Sequence, residues 1–308
     1  MRIENSIKYT AKDSCVLALG CFDGVHKGHK KVIDTARSLA DSMALPLAVF
    51  SFDSPPRNFF VPNSVPNIIT PEEKLRIFEQ MGVDVSISVL PCKDIFEMSA
   101  EDFINDVIIK NFKAKAVVCG FNYSFGKGGR GNSELLCGIC AEHGVEVRVI
   151  DEYTQNGVSV SSSAIRSAIT SGDMQTAQDY LGRPFSISAT VIDGQHLARK
   201  LGFPTVNLIP PSNILLPRNG VYATRVKFDS QERYGISNVG YRPTVNIDLL
   251  CVETHILDFD GNLYGKEITV EFLHFLRDET KFESLELLTE QVESDIAKIR
   301  EYIENNFR

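Results

Sequence analysis

The densest chemistry in this 308-residue chain lies at Gly20-Cys21-Phe22-Asp23-Gly24-Val25-His26-Lys27-Gly28-His29. His26 and His29 stand three residues apart and run into a helix, a spacing that puts both imidazoles on one face of a first turn. A helix start already presents free backbone N–H groups and the positive end of the dipole, so an anion is favoured there. Gly28 keeps side-chain bulk away from an approaching phosphate. Nucleotidyl transfer asks for such a cluster: donors that grip the transferring phosphate and stabilise charge as pyrophosphate leaves. Ser161-Ser162-Ser163-Ala164-Ile165-Arg166 adds hydroxyls at another helix start with a cation one turn in. The bland readings are two surface histidines and a capped helix with a solvated arginine.

A second constellation lies further on. Thr205 and Asn207, two apart in Leu201-Gly202-Phe203-Pro204-Thr205-Val206-Asn207, face the same side if the segment is extended. Both offer hard, neutral oxygens suited to Mg²⁺ that takes most of its charge compensation from ATP phosphates. Glu253, in Val252-Glu253-Thr254-His255, is a candidate base for an alcohol attacking a γ-phosphate. Alone, Thr-x-Asn reads as an ordinary strand and turn.

These motifs need elements to hold them. Over the first 180 or so residues, apolar runs at 14–20, 45–52, 83–90, 114–120 and 145–151 alternate with helical patterns, Thr70-Pro71-Glu72-Glu73 opening one of them as a capping box. The expectation is an α/β unit with a parallel sheet covered on both faces and ligands at the carboxyl ends of its strands. Beyond Gly182-Arg183-Pro184 the pattern becomes strand-like runs broken by turn residues, as in an antiparallel barrel or sandwich, followed by an amphipathic helix over 282–306. The expected domains are therefore 1–182 and 183–308.

Composition narrows the classes. Hydrophobic residues are 43% and charged residues 23%, as in a globular protein, and the net charge is −8. That balance argues against a sequence-independent nucleic-acid binder. No apolar run reaches the ~18 residues of a membrane span, and no secretory h-region is visible. Seven cysteines, an odd number and mostly within apolar runs, read as reduced, buried thiols of a cytoplasmic protein. The sequence leaves the oligomeric state open.

Gly20 to His29 together with Ser161 to Arg166 resemble the His-x-Gly-His and Ile-Ser-Ser-Thr-x-Ile-Arg signatures of the nucleotidyltransferase superfamily. The longer Phe-Asp-Gly-Val-His-x-Gly-His form is similar to the FAD synthetase module of bacterial bifunctional riboflavin kinase/FAD synthetases. Gly120-Phe121-Asn122-Tyr123-Ser124-Phe125-Gly126 resembles that family's loop after the strand. In the second half, Gly194, Arg199 and Leu201 to Asn207, then Asn238 to Thr244, Glu253, Leu257-Asp258-Phe259, Leu263-Tyr264-Gly265 and Leu276 to Phe282 resemble riboflavin kinase motifs in family order.

The resemblance implies a Rossmann-like nucleotidyltransferase domain followed by a six-stranded barrel with a C-terminal helix. It implies phosphorylation of riboflavin to FMN and adenylylation of FMN to FAD, with ATP as co-substrate, Mg²⁺ as cofactor, and riboflavin, FMN and FAD as ligands. Carried over by residue, His26, His29 and Arg166 act in adenylyl transfer. Gly20, Phe22, Asp23, Gly24, Gly28, Ser161, Ser162, Ser163, Gly194 and Arg199 hold ATP or its phosphates. Thr205 and Asn207 bind Mg²⁺, Glu253 is the base on the ribityl 5′-hydroxyl, and Asn122, Arg277 and Phe282 contact flavin.

Two departures stand out. Pro55, in Phe52-Asp53-Ser54-Pro55-Pro56-Arg57, occupies the place of the histidine in the family's Pro-His-Pro, which implies an adenylyl half weakened or altered in specificity. Ala198 stands where the family's loop has a glycine, which implies a phosphate loop crowded by a methyl group. The alternatives are a riboflavin kinase with a degenerate nucleotide-binding domain, or a non-catalytic flavin sensor. Gly126-Lys127-Gly128-Gly129-Arg130-Gly131 matches a dinucleotide fingerprint, but it begins six residues beyond the strand end and reads better as a flexible phosphate-covering loop. Cys137, Cys140 and His143 read as helix residues, the cysteines as small hydrophobes, and not as a zinc site.

Overall fold

A computed structural model describes residues 1–193, 201–243 and 248–307. The expected phosphate-loop residues Gly194, Ala198 and Arg199, and Thr244, lie outside the described residues. The chain divides by contacts into two compact units, Met1–Ala164 and Ile165–Arg308.

The first unit is built on a sheet of six parallel strands: β1 (Arg2–Glu4), β2 (Cys15–Leu19), β3 (Leu47–Phe52), β4 (Val85–Val89), β5 (Ala114–Gly120) and β6 (Glu146–Ile150), in the order β1-β4-β3-β2-β5-β6. All five residues of β2 are buried, as expected for a parallel strand with both faces covered. From β2 the chain winds to one side through β3 and β4 and then crosses to β5, so the switch point falls between β2 and β5. Register pairs Leu19 with Cys119 and with Phe50. The loops that follow Leu19, Phe52 and Gly120 therefore emerge at one carboxyl edge.

Helix α1 (Lys27–Met43) buries Val32, Ile33, Ala36 and Ala40 along one stripe. After the short α2 (Arg57–Phe60), α3 (Pro71–Gln80) opens as the capping box predicts, with the Thr70 side chain accepting the Glu73 amide at 3.1 Å. The short α4 (Lys93–Phe96) and α5 (Ala100–Asp102) follow, and the expected helix over 99–112 continues as a π-helix, Phe103–Asn111. Then come α6 (Ser133–Glu142) and a two-stranded hairpin, β7 (Thr154–Gln155) and β8 (Val158–Ser159). Helix α7 (Ser162–Ser171) contains the division between the units.

The second unit holds α8 (Met174–Leu181) and six strands: β9 (Phe185–Ile192), β10 (Thr205–Leu208), β11 (Gly220–Phe228), β12 (Gln231–Pro243), β13 (Asp248–Ile256) and β14 (Glu267–Arg277). They form a closed barrel in the order β10-β13-β12-β11-β14-β9, every neighbour antiparallel. The barrel, not the sandwich, is realised. Helix α9 (Leu285–Phe307) follows, and Ile299 on it joins Val221, Ala223, Ile236 and Leu257 in one core cluster.

Two candidate active sites

In the first unit, the turn after β2 is strained. Phe22 and Val25 adopt φ of 53° and 39°, left-handed conformations that cost non-glycine residues on the order of 1–3 kcal/mol each. Specific contacts hold them. Asp23 Oδ1 accepts the Ile68 amide at 3.0 Å, and the Asp23 carbonyl accepts the Ser162 hydroxyl at 2.9 Å. The Phe22 ring is fully buried, edge-on to His29 at 5.2 Å and to Phe78 at 5.7 Å. Gly20 is required by that ring, since a Cβ there would lie 2.9 Å from Phe22 Cζ. Phe22 thus supports His29 with its ring.

His26 is not inside the helix, as its spacing suggested, but is its N-cap. Its Nδ1 accepts the His29 amide at 3.2 Å, which leaves Nε2 to carry the ring proton. The two rings stack at 3.6 Å between centroids and 18° between planes. A Cβ at Gly28 would approach His26 Cε1 at 3.1 Å, so the glycine also makes room for the imidazole. Burial first, then the charges of His26 and Lys74, push the His29 imidazole well below its ordinary value. Its Nδ1 is buried with no protein partner.

Of the three serines, Ser161 caps α7, its Oγ accepting the Ala164 amide at 3.2 Å, Ser162 reaches Asp23, and Ser163 is exposed. Arg166 lies half-buried one turn into α7. Asn122 is exposed in the loop after β5. The glycine-rich segment folds back as a bridge between Phe125 and Gly131, and α6 starts only at Ser133 with Asn132 as its cap; the fingerprint is not a strand-to-helix turn. Cys15, Cys119, Cys140 and Cys251 are buried free thiols as expected, whereas Cys21 and Cys137 are half-buried and Cys92, just after the β4 edge, is exposed; His143 sits at the end of α6.

Sequence reasoning missed two features of this edge. Lys74 on α3 is only 3% exposed, and its ammonium donates to the Phe52 carbonyl where β3 ends. Lys74 and Phe78, four apart, are the buried residues of this helix; a lysine on the apolar stripe was the available signal. The second is an aromatic group beside Pro55: Phe59, Phe60 and Phe96 have ring centroids 4.9 to 5.2 Å apart, with Phe60 63% exposed. Pro55 is buried, and its carbonyl accepts the Asn58 amide at 2.9 Å, turning the chain into α2.

In the second unit a cavity of about 800 Å³ gathers Thr205, Asn207, Asn238, Glu253, Arg277 and Phe282 among its lining residues. Register explains the convergence. Glu253 on β13 is directly opposite Asn207 on β10 and Asn238 on β12, and His255 is opposite Thr205. Directly opposed residues share a face, so amide, carboxylate and amide form one row and the Thr205 hydroxyl lies in the next. The His255 ring is held by Nδ1 against the Pro204 carbonyl at 2.9 Å. Glu279 accepts the Asn238 amide at 2.9 Å, and a Cβ on Gly240 would lie 2.0 Å from Glu279 Oε1, so a side chain there would displace this carboxylate. Arg277 is engaged by α9: Nε and Nη2 reach Asp295 Oδ2 at 2.8 and 2.7 Å, and Gln291 donates to Asp295 Oδ1 at 2.8 Å. Its guanidinium also stands 5.9 Å over Phe282, so both expected flavin residues sit together at the mouth.

Stacked imidazoles at a helix start on a parallel sheet, and a row of metal- and proton-competent side chains on the wall of a closed barrel that faces α9, define a two-unit enzyme of phosphate chemistry. Residues 8–164 match the family described as FAD synthetase, and residues 181–303 the family described as riboflavin kinase. A bifunctional riboflavin kinase/FMN adenylyltransferase of Haemophilus influenzae is 36% identical, covering 92% of each chain. Its namesake in Escherichia coli K12 is 33% identical over 97% of this chain and 96% of its own, and that of Bacillus subtilis 34% over 94% and 93%. A crystal structure from Streptococcus pneumoniae, described as a macrolide-efflux protein, superposes with a TM-score of 0.87 at 28% identity over 99% of each chain. The chain belongs to the family of bifunctional riboflavin kinase/FMN adenylyltransferases. Among the described residues, no helix is long and apolar enough to cross a membrane.

Proposed function

We propose that this chain makes FAD from riboflavin in two ATP-dependent steps, one per unit. In the barrel, the 5′-hydroxyl oxygen of riboflavin attacks the γ-phosphorus of ATP, ADP leaves, and Glu253 takes the hydroxyl proton. The observation that carries this reading is the row Asn207–Glu253–Asn238, which sets a carboxylate between two amides in a cavity large enough for flavin. Thr205 and Asn207 supply hard neutral oxygens that fit Mg²⁺; when bound, the ion neutralises charge on the ATP phosphates. Arg277 and Phe282, fixed through Asp295, form the flavin end.

In the first unit, a phosphate oxygen of FMN attacks the α-phosphorus of ATP and pyrophosphate departs with the electrons of the broken P–O bond. His26 and His29 donate to the phosphates, Arg166 and the α7 start assist, and Asn122 orients the flavin phosphate. Phe22, Asp23 and Gly24 shape the turn around them. Exposed Phe59 and Phe60 offer faces for the isoalloxazine ring. The functional domains are taken as 1–182 and 183–308, and the compartment as the cytoplasm, where seven free thiols are at home.

Incubation with riboflavin, ATP and Mg²⁺ followed by separation of the flavins tests the reading. FMN followed by FAD is expected, and formation of neither would overturn it. A kinase-only reading is favoured by Pro55, which brings no imidazole to the end of β3; FMN accumulating without FAD would support it.

A further inference from the structure

The buried ammonium of Lys74 has no role in the reactions as drawn, yet it lies at the carboxyl edge of the sheet that carries the first site. It reaches the Phe52 carbonyl, at the end of β3, from the core-facing stripe of α3. Burial pulls its proton affinity down, and the charges of Cys21, Asp23 and Asp53 oppose that pull. Its charge in turn bears on His29. Two buried polar atoms of this region have no protein partner: His29 Nδ1, and Oδ1 of Asn67, whose amide nitrogen holds the Asp53 carbonyl at 3.1 Å. A buried charge is costly unless it is paired and hydrogen-bonded. Here the Phe52 carbonyl takes a hydrogen bond from the ammonium, and the carboxylates of Asp23 and Asp53 favour its charge.

We propose that Lys74 is a positioning residue for adenylyl transfer, fixing the end of β3 at the carboxyl edge that carries the His26–His29 turn and lending positive charge there as negative charge builds on the departing pyrophosphate. The atoms balance as in the reaction above: the new bond joins an FMN phosphate oxygen to the α-phosphorus, and the bond to the β-bridging oxygen breaks. Lys74 exchanges no proton. In a site screened from water, a fixed charge of this kind acts on the transition state more than on bound substrate.

This inference rests on the adenylyltransferase reading of the site. The test uses the full chain and its kinase activity as an internal control. Lys74→Met keeps the length and apolar packing of the stem and removes the charge; Lys74→Arg keeps the charge. The expected result for Lys74→Met is a fall in kcat for FMN to FAD of about 10²-fold, the scale of losing one electrostatic stabiliser. KM for ATP should change by less than about threefold, a split that marks lost transition-state stabilisation. Lys74→Arg recovers most of the rate, and riboflavin phosphorylation is unchanged in both variants. An adenylylation kcat in Lys74→Met close to that of the unaltered chain would overturn the proposal. So would an arginine variant that keeps its fold but is no faster than the methionine variant. If Lys74→Met melts at a much lower temperature, Lys74→Arg decides alone: near-normal kcat supports the charge, a large loss in a folded protein overturns it. An unaltered chain that makes no FAD would instead overturn the adenylyltransferase reading itself.

Discussion

Asn207 and Glu253 are direct cross-strand partners, on β10 and β13, and Glu253 has Asn238 opposite it on its other side. This places the proposed base between two amides. Glu253→Gln preserves the shape of the row and removes the basic oxygen. Phosphorylation of riboflavin should fall by about 10² to 10⁴-fold, while FMN supplied directly is still converted to FAD. Separate assays of the two steps check this.

His26 has two tasks, and substitution separates them. His26→Ala deletes the cap on α1 and should lower stability by about 0.5–2 kcal/mol, seen as an earlier thermal transition. His26→Asn restores a capping oxygen, so the transition returns while FAD synthesis stays impaired. Equal recovery of both would show that the ring serves only the helix.

The pH response of His29 follows from the direction of its shift. Its folded-state affinity for protons is depressed, so below the ordinary histidine value the unfolded chain binds more protons than the folded one. Stability contributed by the neutral ring is present above about pH 6.5 and declines as pH falls below it. The transition of the first unit should move down with acidification, and His29→Gln should flatten that dependence. Calorimetry from pH 7.5 down to pH 5 measures the difference.

Arg277 and Asp295 test the kinase mouth. Asp295 is fully buried, and removing it leaves the guanidinium of Arg277 without its main partner. Asp295→Leu should destabilise the barrel unit by about 3–5 kcal/mol and raise KM for riboflavin. Asp295→Asn, which keeps one accepting oxygen, should cost less. Urea unfolding and flavin titration provide the two readouts.

The parts of the sites that local chemistry determines were legible in the sequence. Thr70 as a cap, the two-residue period that turns Thr205 and Asn207 to one side, and the placement of His26 and His29 after the first core strand all depend on neighbours within a few residues. The row through Glu253 was not, because register between β10, β12 and β13 is set by closure of the whole barrel. Lys74 was hidden for a similar reason: a lysine in an amphipathic helix reads as solvated until the partner sheet is known. The strand Arg2–Glu4 is too short and polar to announce itself, and the π-helical winding of Phe103–Asn111 has no period distinct enough to separate it from an α-helix over nine residues.

Closure of the barrel carries one more consequence. Since β9 bonds both β10 and β14, no barrel strand is an edge, and each can leave only by breaking two ladders. In the open sheet, β1 is held by β4 alone and can peel away singly. Amide protons of the barrel ladders should therefore exchange with solvent together, as one slow cooperative block, while those of Arg2–Glu4 exchange early and independently.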